Sequence, residues 1–221
     1  MVAKYLLNLH DYIDMKHIAT ITAVIILGLV ATLSVGCSNE TDTVLTSQQN
    51  SISSYLTKTH QPRLIPESEL ATSLEEHPEY FTQWGLDIYR YISTMYEEGR
   101  DERAIAERGD ELSITYTAYV FSGSKPSTSN MFATNDQKSI DELIALGLTP
   151  EYEWTSDPYT LRLGYGDLLD GLDIALEGCR EGDNVEVYLT FEEGYGKHHI
   201  GMVPSKSAQM WIIDINAITK R

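Results

Sequence analysis

Between Tyr159 and Ala217 the period of the hydrophobic positions changes repeatedly, and each change marks an element. Tyr159, Leu161 and Leu163 alternate with Thr160 and Arg162, which predicts a half-buried strand ending at Gly164. Leu168, Leu169, Leu172, Ala175, Leu176 and Cys179 then recur at spacings of three and four. One face of a short helix is therefore apolar, and Asp167 stands where an N-cap is expected. After Gly182-Asp183, Val185, Val187, Leu189 and Phe191 alternate with Asn184, Glu186, Tyr188 and Thr190, predicting a strand with one core face. A Gly194-Tyr195-Gly196 turn and a loop to Val203-Pro204 lead into a last strand, with Trp211, Ile213, Ile215 and Ala217 inward.

Upstream the same reading predicts a strand over 111–121, with Leu112, Ile114 and Tyr116 on one face, and a helix over 139–146 stopped by Gly147. The aromatic and β-branched run 84–96 predicts a strand. Pro66 at a first helical position, then Leu70, Ala71 and Leu74, predicts a short helix ending before Pro78. Residues 38–59, rich in Ser, Thr, Gln and Asn, predict a flexible tether. The chain thus divides into a leader (1–36), a tether (37–60), a helical extension (61–83) and one domain (84–221).

The motifs of that domain resemble a family. Leu163-Gly164, Leu168-Leu169-Asp170-Gly171-Leu172, Gly182-Asp183, Tyr195-Gly196, Val203-Pro204 and Trp211-Ile212-Ile213-Asp214-Ile215 follow the order and spacing of the C-terminal part of FKBP-type peptidyl-prolyl isomerases. Gly109-Asp110, Tyr116-Thr117 and Met131-Phe132-Ala133-Thr134-Asn135 resemble the family's upstream segments. The resemblance implies an α+β fold, an antiparallel half-barrel wrapped around a short helix, with insertions at about 122–130 and 136–157. It also implies prolyl isomerisation in an aromatic pocket, with no cofactor and no metal.

Carried over by position, the pocket falls on Tyr116, Phe132, Tyr195 and Trp211 as the catalytic set, and on Tyr159, Leu168, Leu169, Leu172 and Val203 as the substrate-binding set. Phe132, Tyr159 and Trp211 would be walls and Leu172 the floor. In the family, the tyrosine matching Tyr195 and the backbone N–H matching Leu169 donate to a ligand carbonyl. Read without the resemblance, such alternating aromatics are core residues. Two departures bear on activity: Ala133 stands where the family has an aspartate, and Leu172 where a tryptophan is common. The first favours an alternative, a binding module of the cell envelope with little turnover. A purely structural lipoprotein would leave the convergent aromatics unexplained.

The N-terminus supplies a compartment. Met15-Lys16-His17 precedes the apolar stretch 18–35, which runs into Gly36-Cys37, the arrangement of a secretory signal. The junction resembles a bacterial lipobox, implying cleavage before Cys37 and its lipidation, although Ser34 replaces the usual leucine. An uncleaved anchor is the alternative, since the stretch is at the lower limit for a span. Asp11 and Asp14 do not suit a signal's basic start, so Met15 is the expected true start. Ser38 after the cysteine points to the outer membrane, facing periplasm or exterior.

Charge narrows the partners. The 221 residues hold 16 Lys and Arg against 33 Asp and Glu, a net charge of −17, which removing residues 1–36 leaves unchanged. Phosphate neutralisation needs the opposite sign, so nucleic acid is excluded. Proline-containing exported polypeptides and the membrane, through the lipid, are the expected partners of a monomer. His198-His199 with Glu192 and Glu193 lack a third ligand at metal spacing, and Cys179, at the end of an apolar face, reads as a buried thiol.

Overall fold

The computed structural model describes residues 40–147 and 155–221. The leader, Cys37 and part of the second insertion lie outside them. Among the described residues no helix is long and apolar enough to cross a membrane. Residues 45–221 form one compact unit.

Among the described residues its frame is a sheet of eight strands: β1 (Ile65–Pro66), β2 (Tyr80–Trp84), β3 (Ile88–Ile92), β4 (Glu111–Val120), β5 (Met131–Thr134), β6 (Tyr159–Arg162), β7 (Asn184–Leu189) and β8 (Gln209–Thr219). The order is β1-β2-β3-β7-β8-β4-β5, and β6 also pairs with β4. β1 and β2 are parallel; every other pair is antiparallel. The helices are α1 (40–54), α2 (Gln137–Ala145) and α3 (Asp170–Leu176). This is the expected α+β fold, a sheet packed around a short helix, but the sheet expected to be antiparallel is mixed, because β1 joins β2 in parallel.

The main core lies between α3 and one sheet face. Leu172, Ala175 and Leu176 meet Ile88, Ile92, Leu112, Ile114, Val185, Val187, Leu189, Ile213 and Ile215 there. The opposite face is also covered. Ile52, Tyr55 and Leu56 of α1 and its terminal turn pack on Phe81, Tyr89, Tyr91, Tyr188 and Met210. Strands buried on both faces lose the strict alternation of a half-buried strand, which is why Tyr188, expected to face outward, is fully buried.

α1 replaces the expected flexible tether. Its composition is polar, but Leu45, Gln48, Gln49, Ile52, Tyr55 and Leu56 share one stripe at helical spacing and are all at least half-buried. Its two glutamines bond loops of the sheet rather than water. Gln48 accepts from the Phe191 N–H (2.8 Å) and donates to the Lys206 carbonyl (2.8 Å), and Gln49 donates to Asp87 (3.0 Å). Tertiary packing thus overrides weak helix propensity.

Other expectations shift locally. The expected helical extension, 61–83, holds instead β1, a 3₁₀ turn, Glu67–Thr72, with Pro66 as its N-cap, and most of β2. The run 84–96 is half of a hairpin, because Gly85 takes a left-handed turn (φ +59°) between β2 and β3. α2 begins two residues earlier than expected, where the Asp136 carboxylate accepts from the Ser139 N–H (2.8 Å). A bulge between β4 and β8 pairs Ser113 with Ala217 but Ile114 with Ile215. The extra residue reverses the alternation, so Ile218 turns inward and Ala217 outward.

Candidate functional site

β4, β6, β8, α3 and two loops enclose a cavity of about 410 Å³ lined by Tyr116, Tyr159, Leu168, Leu169, Leu172, Tyr195 and Trp211, together with Ile114, Asp167 and Ile213. Strand register places the walls. Tyr116 on β4 pairs with Ile213 on β8, and Ile114 pairs with Tyr159 on β6. The Tyr116 ring lies 5.5 Å from Trp211 and 6.5 Å, edge-on, from Tyr159. Leu172, on the buried side of α3, closes the floor.

β5 and β6 share one edge of β4 and stop short of each other near Tyr116. Asn135 fills the gap. Its amide oxygen accepts from the Tyr116 N–H (2.6 Å), and its amino group donates to the carbonyls of Ile114 (3.1 Å) and Asp157 (3.0 Å). One buried side chain therefore completes the ladder behind the Tyr116 wall and holds the end of the second insertion.

Asp167 does not cap α3. Leu169 occupies the N-cap position without a side-chain bond, and the Asp167 carboxylate instead accepts from the Arg162 N–H (2.8 Å). The Tyr159 hydroxyl donates to the Asp167 carbonyl (3.3 Å), tying β6 to the loop that delivers Leu168 and Leu169. α3 itself sits very close to the loop after β7. A Cβ on Gly171 would lie 2.8 Å from Leu189 and 3.1 Å from the Glu193 backbone, so only glycine permits this approach.

Seven of the nine expected residues converge on the cavity. Phe132 does not line it but stands edge-on to Trp211 (5.6 Å) and Tyr195 (6.1 Å), a buttress behind two walls. Val203 is buried without lining the cavity, and its backbone closes the Ile200–Val203 turn. Ala133 pairs with Ala118 across β4 and β5 and packs its methyl against the main core. Ile114 and Ile213, missed as lining residues, stand two positions from Tyr116 and Trp211 on the same strand faces, so alternation was the signal that identified them. Asp167 directly precedes Leu168, and its place on a loop gave no such signal.

The cavity offers hydrogen-bond donors but no nucleophile–base pair. Burial raises the Tyr195 phenol above its ordinary pKa, so it keeps its proton. Neither the Tyr195 hydroxyl nor the Leu169 N–H donates to another group among the described residues. Cys179 belongs to the core: burial pushes its thiol up to about 11.

Comparison with known families agrees with this geometry. The sequence model described as FKBP-type peptidyl-prolyl cis-trans isomerase matches residues 102–216, more than half of the chain. The chain belongs to that family. It has the FKBP arrangement of a sheet packed on a short helix. A 47-residue stretch is also 43% identical to part of the trigger factor of Acetivibrio thermocellus; the match covers 21% of this chain and 11% of that protein. β2, β3 and α1 precede the segment shared with the FKBP family.

Proposed function

We propose that the cavity isomerises Xaa-Pro bonds of exported polypeptides by holding the prolyl amide in a twisted form. The barrier to rotation, about 18–20 kcal/mol, comes from amide resonance. A twisted amide loses that resonance and is less charge-separated, so an apolar aromatic cavity favours it over the planar ground state. Tyr116, Tyr159 and Trp211 supply the walls and Leu172 the floor, while the Tyr195 hydroxyl and Leu169 N–H are placed to hold a carbonyl. The observation carrying this reading is the convergence of these aromatics with two donors left for a ligand. Uncatalysed isomerisation takes tens to hundreds of seconds, slow enough to limit folding after export.

A second reading rests on Ala133. Without an acid at that position, the same cavity would hold a partner segment with little turnover. The test is NMR exchange of a series of Xaa-Pro peptides with the native chain and with Ala133→Asp. Acceleration by the native chain is expected. No acceleration, with activity appearing in Ala133→Asp, would establish the binding module instead.

The compartment is part of the proposal. Lipidation at Cys37, supported by the apolar stretch before Gly36-Cys37, would anchor the domain at the outer membrane. Mass spectrometry of the mature N-terminal peptide should find an acylated Cys37; an unmodified peptide continuing upstream would refute it.

A further inference from the structure

An indole wall has a requirement that a phenyl wall lacks: its N–H must find an acceptor when buried. Trp211 is only 7% exposed, and its Nε1–H donates to Gln209 Oε1 at 3.0 Å. Gln209 lies two residues earlier on the same face of β8 and is fully buried. Its backbone is held from both sides, paired with Leu189 of β7 and Val120 of β4.

The amide can be oriented in only one way, since only its oxygen can accept the indole proton. Its amino end therefore faces Gly194, where a Cβ would lie 2.5 Å from Nε2 and 3.0 Å from Cδ. Nε2 has no acceptor among the described residues. A buried amide with one end unsatisfied is a poor choice for stability alone, because an apolar side chain of the same shape leaves nothing unpaired. The return is positional. One end fixes Trp211 and the other forms the seat beneath Gly194, the residue before Tyr195.

We propose that Gln209 is a positioning residue of the prolyl site, setting the Trp211 ring through its amide oxygen and the height of the Tyr195 loop through close packing under Gly194. It does not line the cavity. Trp211 in turn supports the other aromatics, with Tyr116 at 5.5 Å and Phe132 at 5.6 Å. Turning the indole therefore disturbs several walls at once. The inference rests on the cavity being the prolyl site for its effect on turnover, but not for its effect on Trp211.

The test uses the full chain and Gln209→Met, which keeps the side-chain volume and removes the acceptor. The chain has three tryptophans, so Trp211→Phe assigns the Trp211 indole proton by NMR. In Gln209→Met that resonance should move upfield and exchange with solvent about five- to tenfold faster, the factor of one lost hydrogen bond. The KM for an Xaa-Pro peptide should rise by a similar factor, with kcat changing less. In the Trp211→Phe background the same substitution should change KM by less than about twofold. An unchanged indole resonance, or equal KM effects in both backgrounds, would overturn the proposal. So would a native Trp211 indole proton that exchanges as fast as an exposed one, a result that needs no Gln209 variant to fold. A native chain inactive on every peptide, with the indole shift still present, would refute the isomerase reading and leave the positioning role standing.

Discussion

Replacing Asp183 with alanine will destabilise the domain by about 3–5 kcal/mol, the usual result of removing one member of a buried ion pair. Asp183 is fully buried. Its two oxygens accept from Arg100 Nε and Nη2, both at 2.7 Å, and it also takes the Arg180 N–H (2.8 Å) and the Thr94 hydroxyl (3.3 Å). The Thr94 oxygen accepts from the Asn184 N–H (3.1 Å), so the network reaches the first residue of β7. Arg100 is itself buried. The alanine variant would leave its guanidinium unpaired out of water, which costs more than the bonds lost. Asp183→Asn should fall between, since it keeps an acceptor but not the charge. The check is the shift of the urea midpoint at constant slope. A loss under about 1 kcal/mol would mean that Arg100 finds water or another partner.

Thermal stability will fall as pH rises above about 6.5, because folding raises the pKa of a buried histidine. His60 lies beneath α1 between the edges of Tyr55 (5.5 Å) and Tyr91 (5.3 Å). Nε2 meets Glu186 at 2.9 Å and Nδ1 faces the Pro62 carbonyl. Both ring nitrogens face acceptors, an arrangement that favours the doubly protonated ring. Burial opposes the charge, but the Glu186 bond, the Pro62 carbonyl and the negative fields of Glu186 and Glu79 outweigh it, and the pKa rises. The folded chain then holds a proton that the unfolded chain releases. Its stabilisation is complete below the unfolded pKa of about 6.5 and is lost as pH climbs through the folded value, at about 1.4 kcal/mol per pKa unit. Glu186→Gln keeps an acceptor for the Tyr188 hydroxyl (2.7 Å in the native chain) but removes the charge, so the fall should flatten. A melting temperature that stays level over this range, or falls equally in Glu186→Gln, would disprove the assignment.

What the sequence revealed depended on how many sides of each element are covered. β4 and β8 carry alternating residues whose inward members are the cavity walls, so Tyr116 and Trp211 were legible from period and motif together. α1 was not, because its apolar content is sparse and its hold on the sheet runs through Gln48 and Gln49, types that read as solvent-facing. Phe132 and Val203 matched family positions, yet a motif fixes order along the chain and not which ring reaches a cavity. Phe132 stands one shell back. Asp167 looked like a helix cap, but the helix starts only at Asp170, and the carboxylate is taken by the Arg162 backbone. Gln209 lay outside every motif, and only the indole N–H beside it shows what it is for.

The shared segment 102–216 does not carry its own cover for the β7 edge in this chain. Cut at its first residue, it would lose β3, and the whole β7 edge from Val185 to Leu189 would become a bare row of donors and acceptors beside an uncovered Tyr188 and Met210. Such an edge recruits any extended strand it meets, including another copy of itself. The residues ahead of the segment thus cover an edge that would otherwise lie open to strand pairing.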